Sequence, residues 1–437
     1  MDLGRRTFLA SGAAGALTVN AAVARAAPAV RAFPKGFLWG TATAGHQVEG
    51  NNSNSDTWAL EHITPTAFRE PSGDACDSFH RWPLDLDIVR NLGLNTYRFS
   101  LEWARIEPIS GQFSVAMLDH YKAMIDGCIA RGLKPIVTFN HFTCPRWFAM
   151  LGGWTNPDAP KLFARYCEQA AKHLGAGIHS AITLNEPNLM RLLRFKLPPF
   201  VFANNDTVMA AAAKAYNSPA FVSQFIENEA QTDAMLPIMI DAHRMGKAAI
   251  KSVRPNLPVG VSLAIEDDQA VGANSRRDEK RRLCYEPWLA AARDDDFVGV
   301  QNYERAQINA EGQMPVADDA PKSTLGAEIY PASLAGAVRY AWEAAQVPVL
   351  VSEHGIGSAD DQHRAAFIPA ALTHLRAAMD DGIPVIGYLH WSLLDNFEWV
   401  FGYASKFGLC SVDRTTFRRT PKPSATVFAK IAKRNGL

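Results

Sequence analysis

Thr183-Leu184-Asn185-Glu186-Pro187 closes an apolar run that begins at Ala181, and Val351-Ser352-Glu353 closes a second that begins at Val347. Short apolar runs of this kind read as strands of a parallel sheet covered on both faces. Each ends in a glutamate, and the C-terminal end of a strand is where a closed α/β barrel keeps its reactive groups. Two glutamates so far apart in the chain meet only if the sheet closes on itself. A pair of carboxylates across a sugar-sized gap is what cleavage of a glycosidic bond demands.

Working outward from these two runs, six more extended segments appear. In chain order the eight are 37–44, 95–100, 134–140, 180–185, 259–264, 297–302, 347–353 and 384–390. Helical patterns lie between them: Leu118, Tyr121, Ile125 and Ile129 recur at helical spacing, as do Leu162, Tyr166 and Ala170, and then Met235, Ile238, His243 and Ile250. Strands alternating with helices predict a parallel sheet, and eight strands suffice to close one. The expected fold class is therefore α/β, a single (β/α)8 barrel occupying residues 27–437. No repeat and no Gly/Ser/Pro linker divides it. The polar stretches 197–227 and 266–282 read as extended βα loops roofing the active-site face.

Composition narrows the function. The 437 residues carry 44 basic and 44 acidic side chains, a balance that argues against a nucleic-acid or polyanion partner. Six cysteines show no CxxC or other ligand-like spacing, so no zinc site and no metal is expected, and buried reduced thiols are the better reading. The N-terminus reads as an address: Arg5-Arg6 precedes a mild Ala-rich apolar stretch ending in Ala24-Arg25-Ala26. That stretch is too short and too polar for a membrane span, and residues 1–26 are expected to be a twin-arginine signal peptide removed on export to the periplasm or medium.

Five motifs occur in order at the expected strand ends. They are FPKGFLWGTATAGHQVEG from 33, HRWPLDLDIVRNLGLNTYRFSLEWARIEP from 80, TLNEP from 183, LVSEHG from 350 and GYLHWSLLDNFEWVFGYASKFGL from 387. Together they make the chain resemble glycoside hydrolase family 1, the β-glucosidase family, from Phe33 to the C-terminus. The resemblance implies that Glu186 is the general acid/base and Glu353 the nucleophile. It implies that Arg98 and Tyr303 tune the nucleophile, the cation and the hydroxyl both favouring the ionised form. It also implies a sugar subsite of Gln47, His141, Asn185, Glu398, Trp399 and Phe407, with Trp391 as its stacking floor. Glu398 followed by Trp399 disfavours a 6-phospho sugar, whose charge that carboxylate would repel.

Five positions depart from the family pattern: His354 and Gln301 each stand where Asn is usual, Ala327 replaces a platform Trp, and Phe142-Thr143 replaces Trp-Asp. With Ala327 in that place, an open aglycone side with weak preference among small aryl groups is expected. The implied activity is hydrolysis of terminal β-D-glucosides, or of β-galactosides or β-fucosides in the same site, with retention and without a cofactor. A transglycosylase using the same two glutamates, and an exported sugar-binding protein on a retired barrel, are the alternatives. The expected partner is a small-molecule or oligosaccharide β-glycoside.

Overall fold

The computed structural model describes residues 31–437. The proposed signal peptide therefore lies outside the described residues. Eight strands form a closed parallel barrel: β1 Leu38–Ala42, β2 Thr96–Ser100, β3 Lys134–Asn140, β4 Ser180–Asn185, β5 Val259–Ala264, β6 Phe297–Asn302, β7 Val349–His354 and β8 Val385–Trp391. Neighbours follow chain order all the way round, and β1 closes the ring by pairing Leu38 with Gly387 and Ala42 with Trp391. Every expected strand is present, with ends shifted by a few residues at most. Pro348 and Pro384 have no N–H to donate, and strands β7 and β8 begin just after them.

The lumen is a packed core. Leu38, Ile136, Ile182, Phe297, Leu350 and Leu389 fill its lower part. Above them the side chains shrink: a Cβ at Gly299 would lie 2.1 Å from Ser262 Oγ. At the C-terminal rim the same inward positions become Arg98, Asn185, Gln301 and Glu353. On β4 and β7 strict alternation is broken by register shifts, between Ile182 and Asn185 and opposite Val300/Gln301, and these bring Asn185 and Glu353 inward above Ile182 and Leu350.

Outside the barrel, helices cover the other face of every strand. The longest, Glu229–Val253, starts with a capping box between Asn228 and Gln231 and packs along Ala159–Leu174. Its His243 Nδ1 meets Thr183 Oγ1 at 2.7 Å, tying the helix to β4 three residues before Glu186. At the other end Asn435 Oδ1 accepts from Trp39 Nε1 at 2.8 Å, so the C-terminal segment is pinned beneath β1.

Both stretches read as loops contain regular structure. Within 197–227 lies the helix Asn205–Ala215, whose Val208, Met209 and Ala212 join Leu60, Phe221 and Phe397 in a second core above the barrel. Within 266–282 lie the strand Asp267–Ala270, paired in parallel with Arg305–Ile308, and the start of the helix Arg277–Cys284. Average polarity concealed both. The buried face of Arg277–Cys284 includes Lys280, whose ammonium is neutralised by Asp268 at 2.6 Å and by Glu266. All six cysteines are buried and unpaired. No described helix is long and apolar enough to cross a membrane.

Candidate active site

Glu353 ends β7 facing the lumen, and three donors converge on its carboxylate. Arg98 Nη1 reaches Oε1 at 2.6 Å, Gln301 Nε2 reaches the same oxygen at 2.8 Å, and Tyr303 Oη donates to Oε2 at 2.6 Å. The donors come from β2, from β6 and from the residue just beyond its end, so only barrel closure assembles them. Arg98 is itself fixed: Nε donates to Thr138 Oγ1 at 2.9 Å and Nη2 to Asn185 Oδ1 at 2.5 Å. Burial raises the Glu353 carboxyl above its ordinary range, while the Arg98 charge and the Tyr303 hydrogen bond pull it back. Tyr303 stays a protonated donor, because burial and the charge of Glu353 push its hydroxyl far up.

Glu186 follows β4 on a different footing. Its φ of 42° is left-handed, a strained conformation held by its own N–H donating to Ser262 O at 2.8 Å. Among the described residues no donor reaches its carboxylate. Burial and the negative charge of Glu353 raise it well above the usual carboxylate range, against the pull of Arg98. Two carboxyls in one cavity are therefore pushed apart: one is held by three donors, the other by none. That asymmetry prepares one anion and one acid.

The neighbouring residues leave unpaired polar atoms for a ligand. Asn185 Oδ1 accepts from Arg98 and from Gln301 Nε2 at 2.7 Å, which fixes the amide so that Nδ2 faces His141 Nε2 at 3.2 Å. Burial and Arg98 hold His141 well below its usual value, so the ring is neutral. With Nε2 accepting, the proton sits on Nδ1, which is buried without a partner. Gln47 gives Nε2 to Phe397 O at 2.7 Å and leaves Oε1 unpaired. Glu398 is raised to about 8, by burial first and by Glu353 second. A free donor, a free acceptor and a carboxyl thus surround one spot. Aromatic planes bound it: His141 stacks between Trp391 at 5.8 Å and Trp399 at 6.1 Å. Phe407 stands edge-on to Tyr303 at 5.9 Å and packs with Trp391.

All of these expected site residues except Arg98 and Asn185 line one cavity of about 290 Å³, and those two lie directly beneath it. The cavity opens at the C-terminal ends of the strands.

Among known proteins, the sequence profile described as Glycosyl hydrolase family 1 matches residues 29–254 and 284–437. This chain belongs to that family. It is an O-glycosyl hydrolase of retaining mechanism. Beta-glucosidase A of Thermotoga maritima is 29% identical, covering 93% of this chain and 99% of its own. The crystal structure of β-glycosidase BGL167 shares 44% identity at a TM-score of 0.86, covering 93% of this chain and 98% of that one. The apo structure of β-glucosidase 1317 shares 40% identity at a TM-score of 0.88, covering 91% and 98%.

The departures from the family pattern resolve in space. Gln301 holds both Glu353 and Asn185; its sequence position gave the departure but not this double grip. His354 points out of the barrel, stacks on Phe367 at 4.9 Å and meets Tyr388 Oη at 2.9 Å, so it belongs to the packing between strand and helix. Burial lowers it to about 3. Thr143 donates to Glu102 Oε2 at 2.7 Å, within a buried group that includes His46 and Asn52. Ala327 lines the cavity beside an exposed stretch, Thr324 to Gly326. Leu189, Leu193, Leu197 and Leu325 line the same cavity, and Phe225, from the segment after β4, enters it stacked on Trp399 at 5.5 Å. Nothing in the sequence alone flagged Phe225. Among the described residues no three His, Cys, Asp or Glu side chains group as a metal site would need.

Proposed function

We propose that this enzyme hydrolyses terminal β-D-glucosides by double displacement, with Glu353 as nucleophile and Glu186 as acid and then base. The observation that carries the assignment is the unequal treatment of the two carboxyls: three donors on Glu353, none on Glu186. Glu353 ionised beneath the sugar attacks the anomeric carbon, and the glycosidic C–O bond breaks as Glu186 gives its proton to the departing oxygen. Water, deprotonated by Glu186, then attacks the glycosyl–Glu353 ester and restores both groups. His141 Nδ1–H, Gln47 Oε1 and Glu398 supply directed partners for the sugar hydroxyls, and Trp391 and Trp399 supply apolar planes for the ring. The neutral His141 donates without adding charge.

The test is turnover of methyl β-D-glucoside followed by NMR. β-Glucose must appear first and mutarotate afterwards. Initial α-glucose, or no turnover of aryl and alkyl β-glucosides alike, would sink the reading.

The twin-arginine pattern at Arg5-Arg6 supports export through a folded-protein route, with cleavage after Ala26. N-terminal sequencing of protein recovered from the periplasm or medium should begin at Ala27. Retention of Arg5 in that protein would refute cleavage.

A further inference from the structure

The cavity has two chambers of opposite character. The deep one holds the carboxylates and the unpaired polar atoms of Gln47 and His141. The outer one begins at the helix Leu189–Lys196, which starts three residues after Glu186. Leu189 and Leu193 lie on one face of that helix at the spacing of a helical turn, and Leu197 continues it into the cavity wall. Leu325, Ile356 and Phe401 complete the wall. Leu325 is 41% exposed and Phe401 50%, so these two mark the mouth, whereas Glu353 at the floor is 3% exposed.

The outer chamber has little to offer a second sugar. Its charged groups are Lys196, Glu266 and Glu304, and they are engaged with each other: Lys196 pairs with Glu304 and with Glu266 at 3.2 Å, while Glu266 also binds Lys280. Drawing one of them to a hydroxyl would break a partly buried ion pair. Position 327, being Ala, offers no aromatic plane for a sugar, and the rings that line the cavity outside the sugar subsite, Phe225 and Phe401, add apolar surface. Branched aliphatic side chains near the mouth instead expose apolar surface whose removal from water favours an apolar guest.

Resting on the β-glucosidase reading above, we propose that this chamber selects β-glycosides of apolar alcohols and phenols over β-linked oligosaccharides. The aglycone's apolar body lies along Leu193, Leu197 and Leu325 while Glu186 protonates its oxygen. Contacts that far from the bond act equally in ground and transition state, so the selectivity resides in KM.

The test compares kcat/KM for methyl, butyl, hexyl and octyl β-D-glucoside, below their micellar concentrations, with cellobiose. The expected result is a rise of roughly twofold to fourfold per methylene, carried by KM, with cellobiose below the hexyl glucoside. A flat series, or cellobiose matching the octyl glucoside, would overturn the proposal while leaving the β-glucosidase reading intact. Failure of every glucoside, methyl included, would instead remove that reading and this one with it. Leu193→Asn and Leu325→Asn provide the second measurement. Both positions lie partly exposed on the chamber wall, so neither substitution opens the core, and each should reduce the chain-length slope. An undiminished slope in both variants would place the selectivity elsewhere and refute the chamber's role.

Discussion

Gln301 Nε2 donates to Glu353 Oε1 at 2.8 Å and to Asn185 Oδ1 at 2.7 Å, joining the carboxylate to the amide that orients His141. One side chain on β6 therefore holds both the group that attacks the sugar and the chain of contacts that aims a donor at it. Its length matters: an amide one methylene shorter cannot span both partners without movement of β6.

Replacing Gln301 by Ala should therefore damage catalysis more than binding. A hydrogen bond to a charged group is worth about 1.5–3 kcal/mol, so kcat should fall by roughly 10- to 150-fold. KM should change far less. Gln301→Asn should recover only part of the loss. Steady-state kinetics on an aryl β-glucoside would decide; an Asn variant as fast as the parent would show that the reach of Gln301 is immaterial.

Tyr303→Phe makes a prediction with a sign. The Tyr303 hydroxyl lowers the Glu353 pKa by stabilising the carboxylate, so its removal raises that pKa further above the ordinary range. Activity requires ionised Glu353, and the acid limb of the kcat/KM profile should move to higher pH in the variant. The alkaline side should move less. A shift of the acid limb to lower pH would contradict the assignment of Glu353 to that limb.

The roles of the two glutamates can be separated with azide. In Glu353→Gly the acid remains but no covalent intermediate forms, so hydrolysis should collapse by several orders of magnitude. Azide entering the vacated space would attack from the opposite face and yield the α-glycosyl azide. In Glu186→Ala, substrates with good leaving groups still form the glycosyl-enzyme, which accumulates for want of a base. Azide should then yield the β-glycosyl azide. An α product from the Glu186 variant would reverse the assignment.

His354 separates stability from chemistry. It neighbours the nucleophile in sequence, yet its ring is stacked on Phe367 outside the barrel. Restoring the family's usual Asn by His354→Asn should leave kcat/KM within about twofold. Thermal unfolding should come earlier, because a smaller side chain loses the stacking and leaves unfilled space, a change that typically costs about 1–3 kcal/mol. A hundredfold loss of activity with an unaltered melting temperature would place His354 in the reaction after all.

The strands were legible because burial on both faces writes itself into the sequence as short apolar runs, and the strand-end motifs then located Glu186, Glu353, Arg98 and Tyr303. Helices with a strong repeat, such as Glu229–Val253, were legible for the same reason. The helices Asn205–Ala215 and Arg277–Cys284 were not, since the apolar face of the first is short, Val208, Met209 and Ala212, and the buried face of the second carries Lys280. Lys280 illustrates the point: nothing local says that a lysine will be buried, and Asp268 and Glu266 neutralise it only after both segments have folded over the barrel.

By itself, then, the sequence determined the closed alternation of strands and helices and the strand ends at which the two glutamates sit, because periodicity and strand ends are local properties of the chain. Tertiary structure alone decided how those glutamates differ. Three donors, one from β2 and two from β6 and its end, meet at Glu353 and none reaches Glu186, and a pKa responds to charges and hydrogen bonds within a few ångströms, whatever their distance along the chain. The same holds for the outer chamber, where leucines from separate segments form one apolar wall only after the barrel has closed beneath them.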